Sequence, residues 1–202
     1  MTAITSETKN KTLIQLLRVV LLLALVLYIV FRIMYFLGFF MEEINCGAEK
    51  VVSKETKEFL ISDNGYQFDN ANGRTDEKQF EGKYSVKLTP DNAFGMSITF
   101  DVPKGGEEFE ASVWCFENVT STDTSGWAFI VATVGKDFWK GEINVSERKN
   151  GWAKLKLKII VPAANYNDPV VIYCWNSTQN AVYFDNMTIK RKNYWKFFKQ
   201  AN

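Results

Sequence analysis

The chain has 202 residues, with 24 Lys and Arg against 23 Asp and Glu, for a net charge of +1. This near-neutral charge argues against a nucleic-acid-binding protein, and 47% hydrophobic with 15% aromatic residues is too much for a disordered chain. With no His and three scattered Cys, the sequence excludes His-dependent catalytic triads, His-ligated zinc and four-thiolate metal sites. We therefore expect no enzyme activity and no catalytic cofactor.

The first 41 residues combine a short basic end with a long apolar run. Residues 13–41 contain only two charges, and about 20 helical residues are enough to cross a hydrocarbon core of roughly 30 Å. We predict a single transmembrane helix here, preceded by a short cytoplasmic tail over residues 1–12. A cleaved signal peptide is the competing interpretation, but its apolar region would be shorter and a small-residue cleavage site would follow it.

The charges on either side of this helix predict its orientation. Lys9, Lys11 and Arg18 lie before or at its start, whereas Glu42 and Glu43 follow its end. The positive-inside rule then places the N-terminus in the cytoplasm. Everything after about residue 42 is expected in the periplasm or at the cell surface.

Arg32 allows two interpretations. If the apolar core of the helix runs over Leu13–Phe31, Arg32 marks the outer boundary and its side chain reaches the headgroups. If the core runs over Val19–Met41, Arg32 lies inside the bilayer, where an unpaired charge is costly. It would then meet an acidic residue of a partner helix, so the sequence leaves open a membrane protein partner.

After the helix, residues 42–58 are polar without a clear period and are interpreted as a linker or stalk. Residues 59–190 then alternate between apolar and polar positions in short runs separated by turn-forming clusters. The predicted strands are Phe59–Ser62 or Tyr66–Phe68, Tyr84–Thr89, Gly95–Val102, Glu108–Glu117, Trp127–Val134, Lys154–Val161, Val170–Asn176 and Val182–Ile189. Residues 136–148 stay ambiguous between a strand and a long loop. The pattern predicts a mainly β fold, an antiparallel sandwich of two packed sheets.

The last segment, residues 191–202, is a basic tail rich in aromatic residues. Trp195, Phe197 and Phe198 are interleaved with Lys and Arg, a combination typical of the lipid interface. We expect membrane contact here. A short helix packed on the domain or on a partner, and a disordered end, are the alternatives.

Four short motifs, in order, resemble those of jelly-roll carbohydrate-binding modules and galactose-binding-domain-like sandwiches. They are Phe80-Glu81-Gly82-Lys83-Tyr84-Ser85-Val86-Lys87-Leu88, Glu108-Phe109-Glu110-Ala111-Ser112-Val113-Trp114, Gly151-Trp152-Ala153-Lys154-Leu155 and Val182-Tyr183-Phe184-Asp185-Asn186-Met187-Thr188-Ile189. The resemblance covers roughly residues 59–190. It implies an eight-stranded antiparallel jelly roll and says little about function.

The same resemblance implies that the fourth and seventh strands are neighbours, as are the first and last. Cys115 and Cys174 would then lie on adjacent strands and form a disulfide in an oxidising compartment; two buried thiols are the alternative. Asp185 stands where the family has an acid that helps to bind a structural calcium ion, the alternative being an acid that faces a turn. The tail would emerge near the stalk and therefore near the bilayer.

The aromatic residues are the candidates for ligand binding, because indole and phenol rings stack on the C–H faces of sugars. The candidates are Trp114, Trp127, Trp139, Tyr173 and Trp175. Strand alternation puts Trp114, Tyr173 and Trp175 on the faces opposite Cys115 and Cys174. Either these three rings form a strip on the outside of the sandwich, or they are ordinary core residues. Trp127 and Trp139 lie in or near loops.

Two functions of different kinds follow. The first is a non-catalytic, membrane-anchored module that binds carbohydrate outside the cytoplasm. The alternative is an accessory subunit of a membrane protein complex, in which the helix and the sandwich make protein contacts. An enzyme is disfavoured, because the carboxylate pair Glu108 and Glu110 fits solvated positions on a strand equally well.

Overall fold

The computed structural model describes residues 3–36, 41–55, 57–101, 106–117, 127–165 and 168–192. The predicted helix is present, and α1 spans Ala3–Phe36; Met41, the last residue of the predicted helix, begins a strand instead. Within it, Leu13–Met34 is long and apolar enough to cross a membrane, a property that a signal sequence would share. Glu42–Trp195 form a second compact unit.

This second unit is a β-sandwich, in agreement with the predicted fold class. Its described strands are β1 (Met41–Cys46), β2 (Lys50–Lys54), β3 (Lys57–Ile61), β4 (Gln67–Phe68), β5 (Arg74–Thr75), β6 (Ser85–Leu88), β7 (Phe94–Phe100), β8 (Glu108–Glu117), β9 (Ala128–Val134), β10 (Phe138–Glu142), β11 (Val145–Lys149), β12 (Trp152–Ile160), β13 (Val170–Asn176) and β14 (Val182–Lys192). The described part therefore has fourteen strands instead of the eight predicted.

The strands form three sheets. The large sheet has the order β11-β12-β8-β14-β6-β5, and β1 also pairs with β14. The small sheet has the order β10-β9-β13-β7, and β2-β3-β4 form a three-stranded sheet. A bridge between Asp69 and Ser97 links the end of β4 to β7.

The core lies between the large and small sheets, where β8 and β12 pack against β9. Alternation builds it: β13 buries Val170, Ile172 and Cys174 and turns the intervening residues outward. From the large sheet, β8 and β14 contribute Phe109 and Phe184, both fully buried. Each such side chain stabilises the fold by about 2 to 3 kcal/mol.

A β-bulge in β14 determines which of its residues face outward. The pairing of β14 with β8 shifts between Asp185 and Thr188, and Asn186 has a φ of 47°. Asn adopts this left-handed conformation more easily than most residues. Because of the extra residue, Thr188 and Lys190 project from the same face of the sheet as Asp185, opposite Ser112 and Glu110 of β8.

Two regions contain strands that the sequence analysis did not predict. Residues 42–58 are not a linker, because β1 pairs with β14 and β2 pairs with β3. The ambiguous segment over residues 136–148 contains β10 and most of β11. Both regions were hard to recognise because β2 and β11 are largely exposed and lack a strong apolar alternation.

The candidate disulfide between Cys115 and Cys174 is not formed, and the alternative of two buried thiols is what the structure has. Cys115 lies on β8 in the large sheet and Cys174 on β13 in the small sheet, so their strands are not neighbours. Cys46, Cys115 and Cys174 are all buried thiols. Burial raises the pKa of Cys46 to about 11 and that of Cys174 well above its ordinary value, which keeps both thiols neutral.

Most of the basic aromatic tail lies outside the described residues. β14 extends to Lys192, two residues beyond the predicted end of the sandwich. Trp195, Phe197 and Phe198 lie outside the described residues.

Candidate functional site

The outer face of the small sheet carries five neighbouring aromatic side chains, which we call the aromatic strip. Its members are Phe94 on β7, Phe129 on β9, Trp139 on β10, and Tyr173 and Trp175 on β13. Strand register brings them together, because Trp175 is paired with Phe94 on one side and with Phe129 on the other. Side chains directly opposite each other on one face of a sheet are neighbours.

Three of these rings stack in a row across the sheet. The ring centroids of Phe129 and Trp175 are 5.0 Å apart with planes 19° from parallel. Those of Trp175 and Phe94 are 6.2 Å apart with planes 13° from parallel. Tyr173 meets Phe94 edge-on at 5.8 Å, and Trp139 meets Phe129 edge-on at 6.4 Å. Each contact is in the range that favours aromatic pairs.

The sheet beneath the strip is shaped to receive these rings. Gly141 lies two residues after Trp139 on β10, and a Cβ atom there would lie 2.5 Å from Cη2 of the indole. The absence of a side chain at this position lets the indole lie over the strand. Val131, which points to this outer face opposite Tyr173 and Gly141, is fully buried beneath the strip.

The strip also has a small set of hydrogen-bonding groups. They include the indole N–H of Trp139 and the hydroxyl of Tyr173. Burial raises the pKa of Tyr173 although the neighbouring Trp139 side chain lowers it, so the phenol stays protonated at neutral pH. The Thr99 and Thr133 positions flank Val171 in the adjoining row of the same face.

Exposure shows which rings are accessible to a ligand. Phe94 and Trp139, at the two edges of the strip, are 49% and 54% exposed. Phe129, Tyr173 and Trp175 are half-buried between them. The strip is a nearly continuous hydrophobic surface. Contacts between its rings fix their positions without a ligand.

Trp127 directly precedes β9 and is 51% exposed. Its position is fixed by its backbone, because its N–H donates to Oγ of Ser177 at 2.8 Å and its carbonyl accepts from the N–H of Ser177 at 3.0 Å. Ser177 directly follows β13, the strand that carries Tyr173 and Trp175. No ring contact joins Trp127 to the described members of the strip.

Trp114 lies on the other sheet and is not part of this surface. It projects from the outer face of the large sheet, one of the two alternatives that alternation left open, but it is only 6% exposed. The ring of Phe80 stacks on it at 4.0 Å. Together with Trp152 and Tyr183, Trp114 forms a second hydrophobic cluster, which makes it a structural residue.

Asp185 holds the segment that covers Trp114. Its Oδ2 accepts the backbone N–H groups of Phe80 and Glu81 at 2.9 and 3.2 Å, and its Oδ1 accepts that of Asn186 at 2.7 Å. No group of three or more metal-ligating side chains forms among the described residues. The carboxylate of Asp185 therefore ties residues 80 and 81 to β14, while its part in binding calcium stays a prediction.

Sequence reasoning missed Phe94 and Phe129, which supply two of the five rings. A signal was available for Phe129, because it alternates with Ala128 and Ile130 in β9 as Trp175 alternates with Cys174 in β13. The pairing of β7 with β13, which brings Phe94 beside Trp175, is a long-range property that no local pattern shows.

No family model matches the chain, and no curated protein matches it. Among solved structures, the chain is similar to the family 22 xylan-binding domain of a Paenibacillus barcinonensis protein, with 14% identity, a TM-score of 0.43 and coverage of 74% of this chain and 95% of that one. It is also similar to part of a Clostridium thermocellum endo-1,4-beta-D-xylanase, with 14% identity and a TM-score of 0.42. There it covers 75% of this chain and 26% of the xylanase chain, which was solved with xylohexaose.

A cyclase from Fischerella is similar at 14% identity and a TM-score of 0.40, with coverage of 74% of this chain and 83% of that one. Carbohydrate-binding modules of families 16 and 35 are also among the similar structures.

Proposed function

We propose that this protein is a non-catalytic, membrane-anchored module that binds carbohydrate through the aromatic strip. The strip is the observation that carries the proposal, because it places five aromatic side chains on one sheet face and leaves two of them about half exposed. Exposed hydrophobic surface of this kind is usually a binding site.

The chemistry of the strip favours sugar rings over other apolar ligands. Pyranose rings present C–H groups on one face and hydroxyls around the edge, and aromatic rings bind that face. The hydroxyls of Tyr173, Thr99 and Thr133 lie on the same face of the sheet. They can form hydrogen bonds with the hydroxyl groups at the edge of a sugar ring. No charged residue occupies the outward positions of β9 and β13, where Phe129, Val131, Thr133, Val171, Tyr173 and Trp175 stand. This points to an uncharged glycan chain.

The anchoring part of the proposal rests on α1. A single helix with the 22-residue apolar stretch Leu13–Met34 precedes the sandwich. With Lys9, Lys11 and Arg18 toward its start, we propose that the N-terminus lies in the cytoplasm and the sandwich outside it.

The test is glycan binding by the full-length protein in a neutral detergent without a sugar headgroup. We expect xylan and other neutral polysaccharides to shift the tryptophan fluorescence in a saturable way. In Trp175→Ala the affinity should fall by about tenfold to thirtyfold, because a central stacked ring is lost.

Ile160→Ala is the matched control, since Ile160 is also exposed but lies on the large sheet. It should bind as tightly as the wild type. If Trp175→Ala bound normally, or if a folded wild-type protein bound none of the polysaccharides, the glycan proposal would be wrong. The accessory-subunit function would then become the better explanation.

A further inference from the structure

The outer face of the large sheet carries a groove of about 520 Å³ that has the opposite character to the aromatic strip. Four lysines and two glutamates line it, which gives the lining a positive excess. Lys154, Lys156 and Lys158 come from alternate outward positions of β12, and Lys190 comes from β14. The strand β8, which lies between β12 and β14, forms the floor of the groove.

The excess charge is concentrated at one end of the groove. At the other end, Lys158 is neutralised by Glu108 at 2.7 Å and by Glu110 at 3.3 Å. Lys190 is paired with Glu43 at 3.3 Å. Neither Lys154 nor Lys156 forms an ion pair with a described residue, and the ammonium of Lys154 lies 5.3 Å above the ring of Trp114.

The floor beside these two lysines is uncharged and hydroxylated. Ser112 of β8 is paired with Lys156 on one side and with Thr188 on the other. Glu108 and Glu110 occupy the two preceding outward positions of the same strand, so Ser112 is the first one that offers no carboxylate. The bulge at Asn186 gives Thr188 and Lys190 their outward orientation and therefore completes this wall of the groove.

We propose that this groove binds an anionic polysaccharide chain lying along β8, with its carboxylate or phosphate groups at Lys154 and Lys156. Two strand spacings of about 4.8 Å separate the flanking strands, which leaves a channel about as wide as one polymer chain. The hydroxyl of Ser112 can donate to and accept from sugar hydroxyls between the charges, and that of Thr188, which donates to Oδ1 of Asn45, can accept. A flat lipid surface would not use this concave floor. The groove lies on a different sheet from the aromatic strip, so the two sites are independent.

The experiment uses the full-length protein in the same neutral detergent, in the Trp175→Ala background, so that binding at the strip does not contribute. Polygalacturonate and its fully methyl-esterified form share a backbone and differ in charge, and a glycerol phosphate polymer supplies the phosphate arm. We expect calorimetry to show binding of at least one anionic polymer, weakening as salt is raised, and none of the ester. The tighter polymer identifies the anionic group.

Variants locate the site. Lys154→Gln with Lys156→Gln should weaken binding by about tenfold, on the basis of two lost surface charge contacts. Lys57→Gln with Lys136→Gln removes the same charge at exposed positions outside the groove and should change binding less than twofold by the same reasoning.

Several results would overturn the proposal. They are equal losses in the two double variants, binding of neither anionic polymer, and tight binding of the methyl ester. Binding only to phosphatidylglycerol vesicles would also overturn it, since it would identify a membrane-binding surface instead. Normal binding of neutral glycan by the Lys154→Gln, Lys156→Gln protein with Trp175 restored would show that this site and the strip act separately.

Discussion

The buried carboxylate of Asp185 is the residue whose environment most clearly affects stability. Burial raises its pKa from 3.8 to about 6, although three backbone N–H groups lower it. An acid that binds its proton more tightly in the folded state stabilises the fold below its unfolded pKa. This contribution is lost as the pH rises from about 4 to above 6.

We predict that the Asp185→Asn variant lacks this pH dependence. The free energy of unfolding of the wild type minus that of the variant should decrease by about 2 kcal/mol between pH 4 and pH 7, since one unit of pKa is worth about 1.4 kcal/mol and the unfolded carboxyl is already partly ionised at pH 4. Denaturant unfolding at several pH values measures the difference, in which the shared contributions of Glu77 and Glu108 cancel. A difference that stays constant or increases with pH would contradict the assignment.

At the scale of the element, the helix α1 has its charges at defined positions. Arg18 and Arg32 are 14 residues apart, close to four helical turns, so they lie on one side of the helix about 21 Å apart along its axis. Arg18 groups with Lys9 and Lys11 near the start, and Arg32 lies two residues before the end of the apolar stretch. The two arginines should therefore have opposite effects on orientation.

We predict that Lys9→Gln, Lys11→Gln and Arg18→Leu together invert a fraction of the chains in the membrane. Arg32→Leu should leave the N-terminus in the cytoplasm, because it removes a positive charge from the outer end. Protease accessibility of the sandwich in intact spheroplasts measures both. Inversion by Arg32→Leu and not by the triple change would show that the proposed orientation is wrong.

The strands that were predicted correctly are those with one face in the core. β8 and β13 have the predicted bounds, because buried and outward residues alternate along them. β1, β2 and β11 escaped prediction for the opposite reason. Their exposed positions carry charged residues such as Glu43, Lys50 and Arg148. Pairing with a distant strand cannot be recognised from the local sequence.

For the molecule as a whole, alternation showed which side chains share a face but not which strands share a sheet. Cys115 and Cys174 both point into the core, as the pattern implies, yet they do so from opposite sheets. Similarly, alternation left open whether Trp114 faces outward or into the core; it faces outward, and a segment distant in sequence places Phe80 over it. Over Tyr173 and Trp175, by contrast, no described residue stacks from a segment outside the small sheet.

One ion pair joins the end of β14 to the residue that precedes β8, at one end of the large sheet. Nη2 of Arg191 lies 2.9 Å from Oε2 of Glu107, and both side chains are largely buried. The guanidinium also lies 5.6 Å from the rings of Phe109 in the large sheet and Phe100 in the small one. Removing the acid would leave a buried positive charge between the sheets.

We predict that Glu107→Ala lowers the free energy of unfolding by about 3 kcal/mol or more, as expected when one partner of a buried pair is removed. Glu43→Ala is the control, because Glu43 pairs with Lys190 at the surface and its loss should cost less than about 1 kcal/mol. Denaturant unfolding followed by near-UV circular dichroism compares them. Similar losses in the two variants would contradict a special role for the buried pair.

The pairing of β1 with β14 has a consequence for how this sandwich is inherited and engineered. Glu43 contacts Lys190 and Asn45 contacts Thr188, so the first strand runs antiparallel to the last. The chain therefore enters and leaves the fold at one corner, about one strand spacing apart. A unit with adjoining ends can be inserted into a surface loop of another protein as a cassette, or circularly permuted, without stretching either partner. Recombination could therefore join the sandwich to a different membrane helix without disrupting its fold.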